Sequence, residues 1–250
     1  MAQGWRTDTY RALYSGAPDK IHVLAVDYRG FGYSSGVPTE KGLIIDGISI
    51  VNWALHVARI PPERIIIFGQ SLGTAVSIAV AEHFVLHEHV EFAGIVLVAG
   101  FSDVPTLMTT YAVGGVIPIL SPLRPYPALQ KFFAGHVQET WFSAKRLENF
   151  VRHSKSINLR LIHARNDFDI PSSHSKTLFY AAANGTTPSG MAHKTIDTLS
   201  TWYEKKGSTR TWDWKSEHAS ELKKIKLELV EHGGESTALA VLGTNYHEEG

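Results

Sequence analysis

No cysteine occurs among the 250 residues. That excludes a disulfide framework, a thiolate zinc site and a cysteine nucleophile, and it leaves the redox compartment open. Excess charge is also lacking. The 24 Lys and Arg balance the 24 Asp and Glu, so no global field draws the chain to nucleic acid. No apolar run reaches the ~18 residues of a membrane span. The longest apolar-leaning zone, residues 111–133, is broken by Gly114, Gly115 and several prolines. The opening Met1-Ala2-Gln3-Gly4-Trp5-Arg6 has no apolar core, so no signal peptide is read. The expected location is the cytoplasm or the periphery of a membrane. The 13 histidines are scattered without H-E-x-x-H spacing, and neither a metal nor a cofactor is expected. Asn184-Gly185-Thr186 matches a glycosylation sequon; without a secretory signal the match is read as chance.

What is present is a chain 44% hydrophobic, enough for one sizeable core, read as a single α/β domain over 1–250. A short helix is predicted over Thr7 to Tyr14, and a buried strand over Ile21 to Val26 that runs into a Gly-rich loop. The stretch from Thr39 reads as an amphipathic helix on Ile45, Ile48, Val51, Trp53 and Leu55, stopped by Pro61-Pro62. Further strands are predicted at Arg64 to Phe68, within FAGIVLVAGF, from Leu159 and from Ile225, with a helix over Leu72 to His83. Apolar strands alternating with helices predict a mostly parallel sheet flanked by helices on both faces. Two segments break the alternation: a cap insertion over about 104–150, and a polar loop insertion with a short helix over about 184–223.

The informative stretch is IIIFGQSLGTAV, residues 65–76. A β-branched strand runs into Gly69-Gln70-Ser71-Leu72-Gly73, and a helix of small and apolar residues follows. This is the arrangement of a nucleophile elbow, in which a serine sits in a strained strand-to-helix turn. The two glycines are expected to be required because side chains there would collide with neighbouring backbone. The N–H of Leu72, at the helix N-terminus, becomes a candidate oxyanion donor. The bland reading of Ser71 is a helix-capping serine. A serine nucleophile needs a base, and the base needs an orienting carboxylate, in the chain order Ser, acid, His. LRLIHARNDFDIP offers Asp167 at a strand end, with Asp169 as the alternative. LELVEHGGES offers His232, with His247 in the tail as the alternative; a surface role for both histidines stays open.

These residues resemble the α/β-hydrolase superfamily. More narrowly, the chain resembles the fungal relatives of the monoacylglycerol and lysophosphatidylserine lipases. VLAVDYRGFGYSSG, PPERIIIFGQSLGTAV, GIVLVAGFSDVP and LIHARNDFDIP carry the likeness, in order, over roughly residues 1–182. The resemblance implies a serine hydrolase cleaving carboxylic esters, of acylglycerol or lysophospholipid type, through an acyl-enzyme on Ser71 with Asp167 as the acid. Two departures follow. The family places a strand and a His-Gly loop, source of a second oxyanion N–H, before the first helix seen here, so the first strands are expected to be missing. The family's histidine falls near Glu235, with His232 three residues earlier. A catalytically impaired, hydrolase-like binding protein is the alternative from another class. A serine peptidase of the same fold is the alternative among enzymes; acids in the cap would favour it, and only Asp103, Glu139 and Glu148 stand there. The cap carries Val116, Ile117, Ile119, Leu120, Phe132 and Phe133, suited to an acyl chain. Arg124, Lys131, Lys145 and Arg146 could seat it at a lipid surface.

Overall fold

The computed structural model describes residues 6–15, 17–110, 112–113, 117–118, 139–187, 189–205, 209–218 and 221–231. Helix α1 spans Arg6–Ser15 and α2 spans Glu40–Asn52, where Thr39 Oγ1 caps the Gly42 N–H at 3.1 Å. A π-helical turn, Trp53–Val57, ends that second helix before Pro61-Pro62. Strand β1 is Ile66–Gln70, α3 is Leu72–His83 and β2 is Gly94–Val98. Then come α4 (Val104–Thr110) and two short strands, β3 (Ala112–Val113) and β4 (Ile117–Pro118). The chain continues with α5 (Ser143–His153), β5 (Ser156–Ala164), α6 (Ser173–Gly185) and α7 (His193–Leu199). It closes with β6 (Thr201–Lys205), β7 (Thr209–His218) and β8 (Glu221–Val230).

Among the described residues the main sheet has six strands in the order β1-β2-β5-β8-β7-β6. The first four run parallel, and β7 and β6 complete the sheet antiparallel. Side chains alternate across a strand, so one register row faces one side. The row Ile95, Leu97, Leu159, Leu161, Ile225, Leu227 and Leu229 is buried under Ile78 and Ala81 of α3, Leu147 and Phe150 of α5, and Leu178 and Phe179 of α6. Helix α3 is buried over Thr74 to Ala81, which accounts for its apolar character on all sides. Helix α2 lies on α3, and the approach is close at Gly47, where a Cβ would come within 2.7 Å of Val80 Cγ2. Ile44, Ile48, Val51 and Leu55 pack inward, whereas Ile45 and Trp53 of the expected apolar stripe are exposed. The opposite sheet face holds a smaller cluster of Val98 and Ile162 with Phe68, Val96 and Ala99.

Two sequence expectations need correction. Ile21 to Val26 is not a strand: Val23 and Leu24 are exposed, and among the described residues no strand pairs with the stretch. Its composition suits a pleated surface, but a strand exists only through a neighbour's hydrogen bonds, and among the described residues β1 is the sheet edge. The 184–223 insertion is not chiefly loop. It holds α7 and the β6–β7 hairpin, which pairs along β8 from His218↔Glu221 to Arg210↔Leu229. Trp214 anchors the hairpin; it is buried, and its indole N–H donates to Thr186 Oγ1 at 3.3 Å.

The insertion proposed as a cap closes at its base. The Val104 N–H donates to the Thr140 carbonyl at 2.9 Å, and the Ala144 N–H to that of Ser102 at 3.0 Å. Glu40 tethers the returning end, its Oε2 accepting the Trp141 N–H at 2.9 Å. Val116, Ile119, Leu120, Arg124, Lys131, Phe132 and Phe133, on which the acyl-wall and lipid-surface readings rest, lie outside the described residues.

Candidate active site

Ser71 stands between the end of β1 and the start of α3 with φ 52° and ψ −122°. A non-glycine residue there costs about 1–3 kcal/mol and persists only where its surroundings enforce it. They do so through the backbone. The Ser71 N–H donates to the Val98 carbonyl at 3.0 Å, and its carbonyl accepts from the Thr74 N–H (2.9 Å) and Thr74 Oγ1 (2.7 Å). The Ser71 side chain makes no capping bond to its own helix, so the capping reading fails. Gly69 is required: a Cβ there would lie 2.4 Å from the Gly73 carbonyl oxygen and 2.5 Å from Ser77 Oγ. Gly73 departs from expectation, since among the described residues nothing lies within 4 Å of the Cβ it would carry. Its freedom from side chain leaves the space above the turn open rather than preventing a collision. Leu72 is the first residue of α3, where the N–H groups have no intrahelical partner.

Asp167 follows β5, two strands from β1. Ser71 and Asp167 therefore both leave carboxyl ends of parallel strands, where ligands of open α/β sheets bind. Asp167 Oδ1 accepts from the N–H groups of Asp169 (3.0 Å) and Ile170 (2.8 Å), so this side chain shapes the turn after the strand. Asp169 is exposed and supplies one of those donors. Oδ2 lies 3.5 Å from Nε2 of the buried His163. Burial pushes the Asp167 carboxyl up. Hydrogen bonds from His163 and from the Ile170 and Asp169 N–H groups outweigh that and hold it below its ordinary value. A carboxylate can accept at about four positions, so Oδ2 retains capacity for an imidazole.

His232 and His247, the two candidate bases, lie outside the described residues. The chain is described up to Glu231. There the Val230 carbonyl accepts the Arg165 N–H at 2.7 Å, and the Arg165 guanidinium pairs with Glu231. The register sets Ala164 opposite Val230, so β8 leaves the sheet beside the turn that carries Asp167.

Sequence reasoning missed a buried polar group beneath this turn. His163 Nδ1 is 2.6 Å from Ser175 Oγ, and its Nε2 is 2.7 Å from the Ile170 carbonyl. His174, also buried, has Nδ1 3.0 Å from Ser102 Oγ, and Ser102 Oγ donates to Asp103 Oδ2 at 2.9 Å. Burial pushes the His174 imidazolium pKa down; Asp103 opposes this and His163 reinforces it. The legible signal was parity. His163 shares the buried row of Leu159 and Leu161, where a polar residue must find partners. Among the described residues no group of three or more His, Cys, Asp or Glu is placed to hold a metal ion.

A nucleophile-elbow turn ahead of a buried helix, at the carboxyl edge of a mostly parallel sheet, defines an α/β-hydrolase, and the chain belongs to the alpha/beta hydrolase family, whose model matches residues 2–215. The chain is similar to Uncharacterized protein YfhR of Escherichia coli O157:H7, at 29% identity over 68% of this chain and 51% of that protein. It is 32% identical to human Protein ABHD12B over 66% of this chain and 42% of the relative. It is 28% identical to the Lysophosphatidylserine lipase ABHD12 of Macaca fascicularis over 71% and 41% respectively. The matched part therefore spans about half, or less, of the length of these relatives. Among solved structures, an alpha-beta hydrolase from Vibrio vulnificus superposes with a TM-score of 0.58 at 22% identity, covering 72% of this chain and 57% of the other.

Proposed function

We propose that the chain is a serine hydrolase of carboxylic esters, of acylglycerol or lysophospholipid type. The observation that carries the proposal is Ser71 held at positive φ, its side chain uncommitted to the helix cap, with the acid turn of Asp167 two strands away. The likeness to a lysophosphatidylserine lipase supports the substrate class. In the proposed reaction Ser71 Oγ attacks the ester carbonyl as His232 takes its proton, and the Leu72 N–H stabilises the oxyanion. His232 returns the proton to the leaving alcohol, water then hydrolyses the acyl-enzyme, and Asp167 holds the imidazole throughout.

The peptidase reading lacks support, because each cap acid is already engaged. Asp103 accepts from Ser102 and Thr106, Glu139 from the Glu40 N–H, and Glu148 from Arg152 and Asn184. One observation favours a binding protein of impaired activity: among the described residues β1 has no strand on its outer edge, beside the nucleophile turn. Peripheral membrane contact is supported by exposed Phe142 and Lys145 at the start of α5, but not by Arg146, which is bound to Glu82 and Glu40. Among the described residues no helix is long and apolar enough to cross a membrane. The deciding experiment is hydrolysis of a monoacylglycerol and of a lysophosphatidylserine by the purified chain beside Ser71→Ala and Asp167→Asn. Turnover abolished by both substitutions supports the reading; a folded chain that hydrolyses neither favours the binding protein.

A further inference from the structure

The turn after β5 places the acid by a brace the catalytic scheme does not use. Asp167 Oδ1 is held by two N–H groups of its own turn, which fix the carboxylate relative to residues 169 and 170 but not relative to the sheet. The Asp167 backbone N–H reaches the Ala164 carbonyl at the end of β5 at 3.3 Å, and a side-chain link to the sheet is His163, on β5 itself and fully buried. A carbonyl can only accept, so the 2.7 Å contact to the Ile170 oxygen puts the ring hydrogen on Nε2. Nε2 also lies 3.5 Å from Asp167 Oδ2, and the opposite nitrogen meets Ser175 Oγ at 2.6 Å. One ring thus touches both ends of the 167–170 turn and the first turn of helix α6. The lowered pKa of Asp167 fits this arrangement, since His163 is one of the groups favouring its charged form.

We propose that His163 is a positioning residue for Asp167, its Nε2–H fixing the acid turn against the sheet so that Asp167 Oδ2 meets the base. This rests on the reading of Ser71 and Asp167 as nucleophile and acid. His163 does not touch substrate; it acts through Asp167. A loose acid turn leaves the imidazole misoriented, and a misplacement of about 1 Å can cost about 100-fold in rate.

The test compares His163→Gln with His163→Asn in the full chain. The Gln amide reaches the position of Nε2 and can serve Ile170 and Asp167. The Asn amide reaches only the position of Nδ1 and serves Ser175. Both variants and wild type are titrated with a fluorophosphonate, which gives the fraction of competent sites and the labelling rate constant per site. Positioning predicts His163→Gln within about threefold of wild type, and His163→Asn slower by about 10- to 100-fold per competent site. A merely structural role would lower the competent fraction and leave the rate per site unchanged, which overturns the proposal. So does equal or reversed behaviour of the two variants. His163→Leu, which retains neither amide, is expected to match His163→Asn; labelling at the wild-type rate by either would also overturn it. Absence of labelling in wild type itself would instead remove the hydrolase reading on which the inference stands.

Discussion

Two glycines of one motif should respond in opposite directions to the same added methyl group. In Gly69→Ala the new Cβ lies 2.4 Å from the Gly73 carbonyl oxygen and 2.8 Å from its carbon, both backbone atoms, and 2.5 Å from Ser77 Oγ. Carbon and oxygen approach to about 3.3 Å at closest in ordinary contact, so β1 and α3 must separate by roughly 1 Å at the elbow. Overpacking of this kind costs about 1–3 kcal/mol, which for a chain of this size lowers Tm by about 2–12 °C. A shift of roughly 1 Å also displaces Ser71 from its place in the proposed site, so fluorophosphonate labelling should slow by about 100-fold. In Gly73→Ala the methyl meets nothing within 4 Å among the described residues, and the position lies within α3. Alanine is favoured over glycine in a helix by up to about 1 kcal/mol, so Tm should rise by a few degrees. Differential scanning calorimetry of the two variants decides. If Gly69→Ala melts with wild type, or if both variants lose stability equally, the account of how the elbow is packed is wrong.

Further outcomes are expected elsewhere. Arg29 binds Asp46 through its side chain (2.7 Å) and backbone N–H (2.9 Å), and the hydrogen bond from Arg29 holds the Asp46 carboxyl below its ordinary value. A carboxyl lowered in the folded state contributes stability that is present above the unfolded pKa of about 3.9 and is lost as pH falls through the folded value. Asp46→Asn should therefore melt lower than wild type at pH 7, and the two melts should converge in acid. His174 is lowered in the folded state by burial, so the unfolded chain binds its proton more readily. Stability should fall as pH drops below about 6.5, and His174→Gln should flatten that part of a urea-midpoint profile. Leu161→Ala removes a fully buried side chain from β5 and should cost about 2–5 kcal/mol in chemical denaturation; a loss under 1 kcal/mol would contradict its place in the core.

The elbow was legible because several local signals coincide there. A β-branched run, two glycines and a stretch of small apolar residues all end or begin within a few positions, and α3 runs over Leu72–His83 as read. The turn that carries Asp167 was legible for the same reason: an apolar strand stops at Ala164 and polar residues follow. Long-range pairing was not legible. Ile21 to Val26 has the composition of a strand, yet no strand pairs with it among the described residues. The β6–β7 hairpin carries charged and hydroxyl residues at alternate positions and so reads as polar loop. Its signal was the alternation around Trp212 and Trp214 with Lys206-Gly207-Ser208 between the strands. The His163 brace depends on the fold, because its partners Ile170 and Ser175 come from a turn and a helix that only the tertiary structure brings back over β5.

The most direct measurement of the central claim is the intact mass of the purified, folded chain after reaction with a fluorophosphonate, followed by peptide mapping. One stoichiometric adduct is expected on the peptide containing Ser71, absent from Ser71→Ala and strongly slowed in Asp167→Asn. A folded chain that gains no mass, or that carries the adduct on another residue, would contradict the assignment of Ser71 as an activated nucleophile.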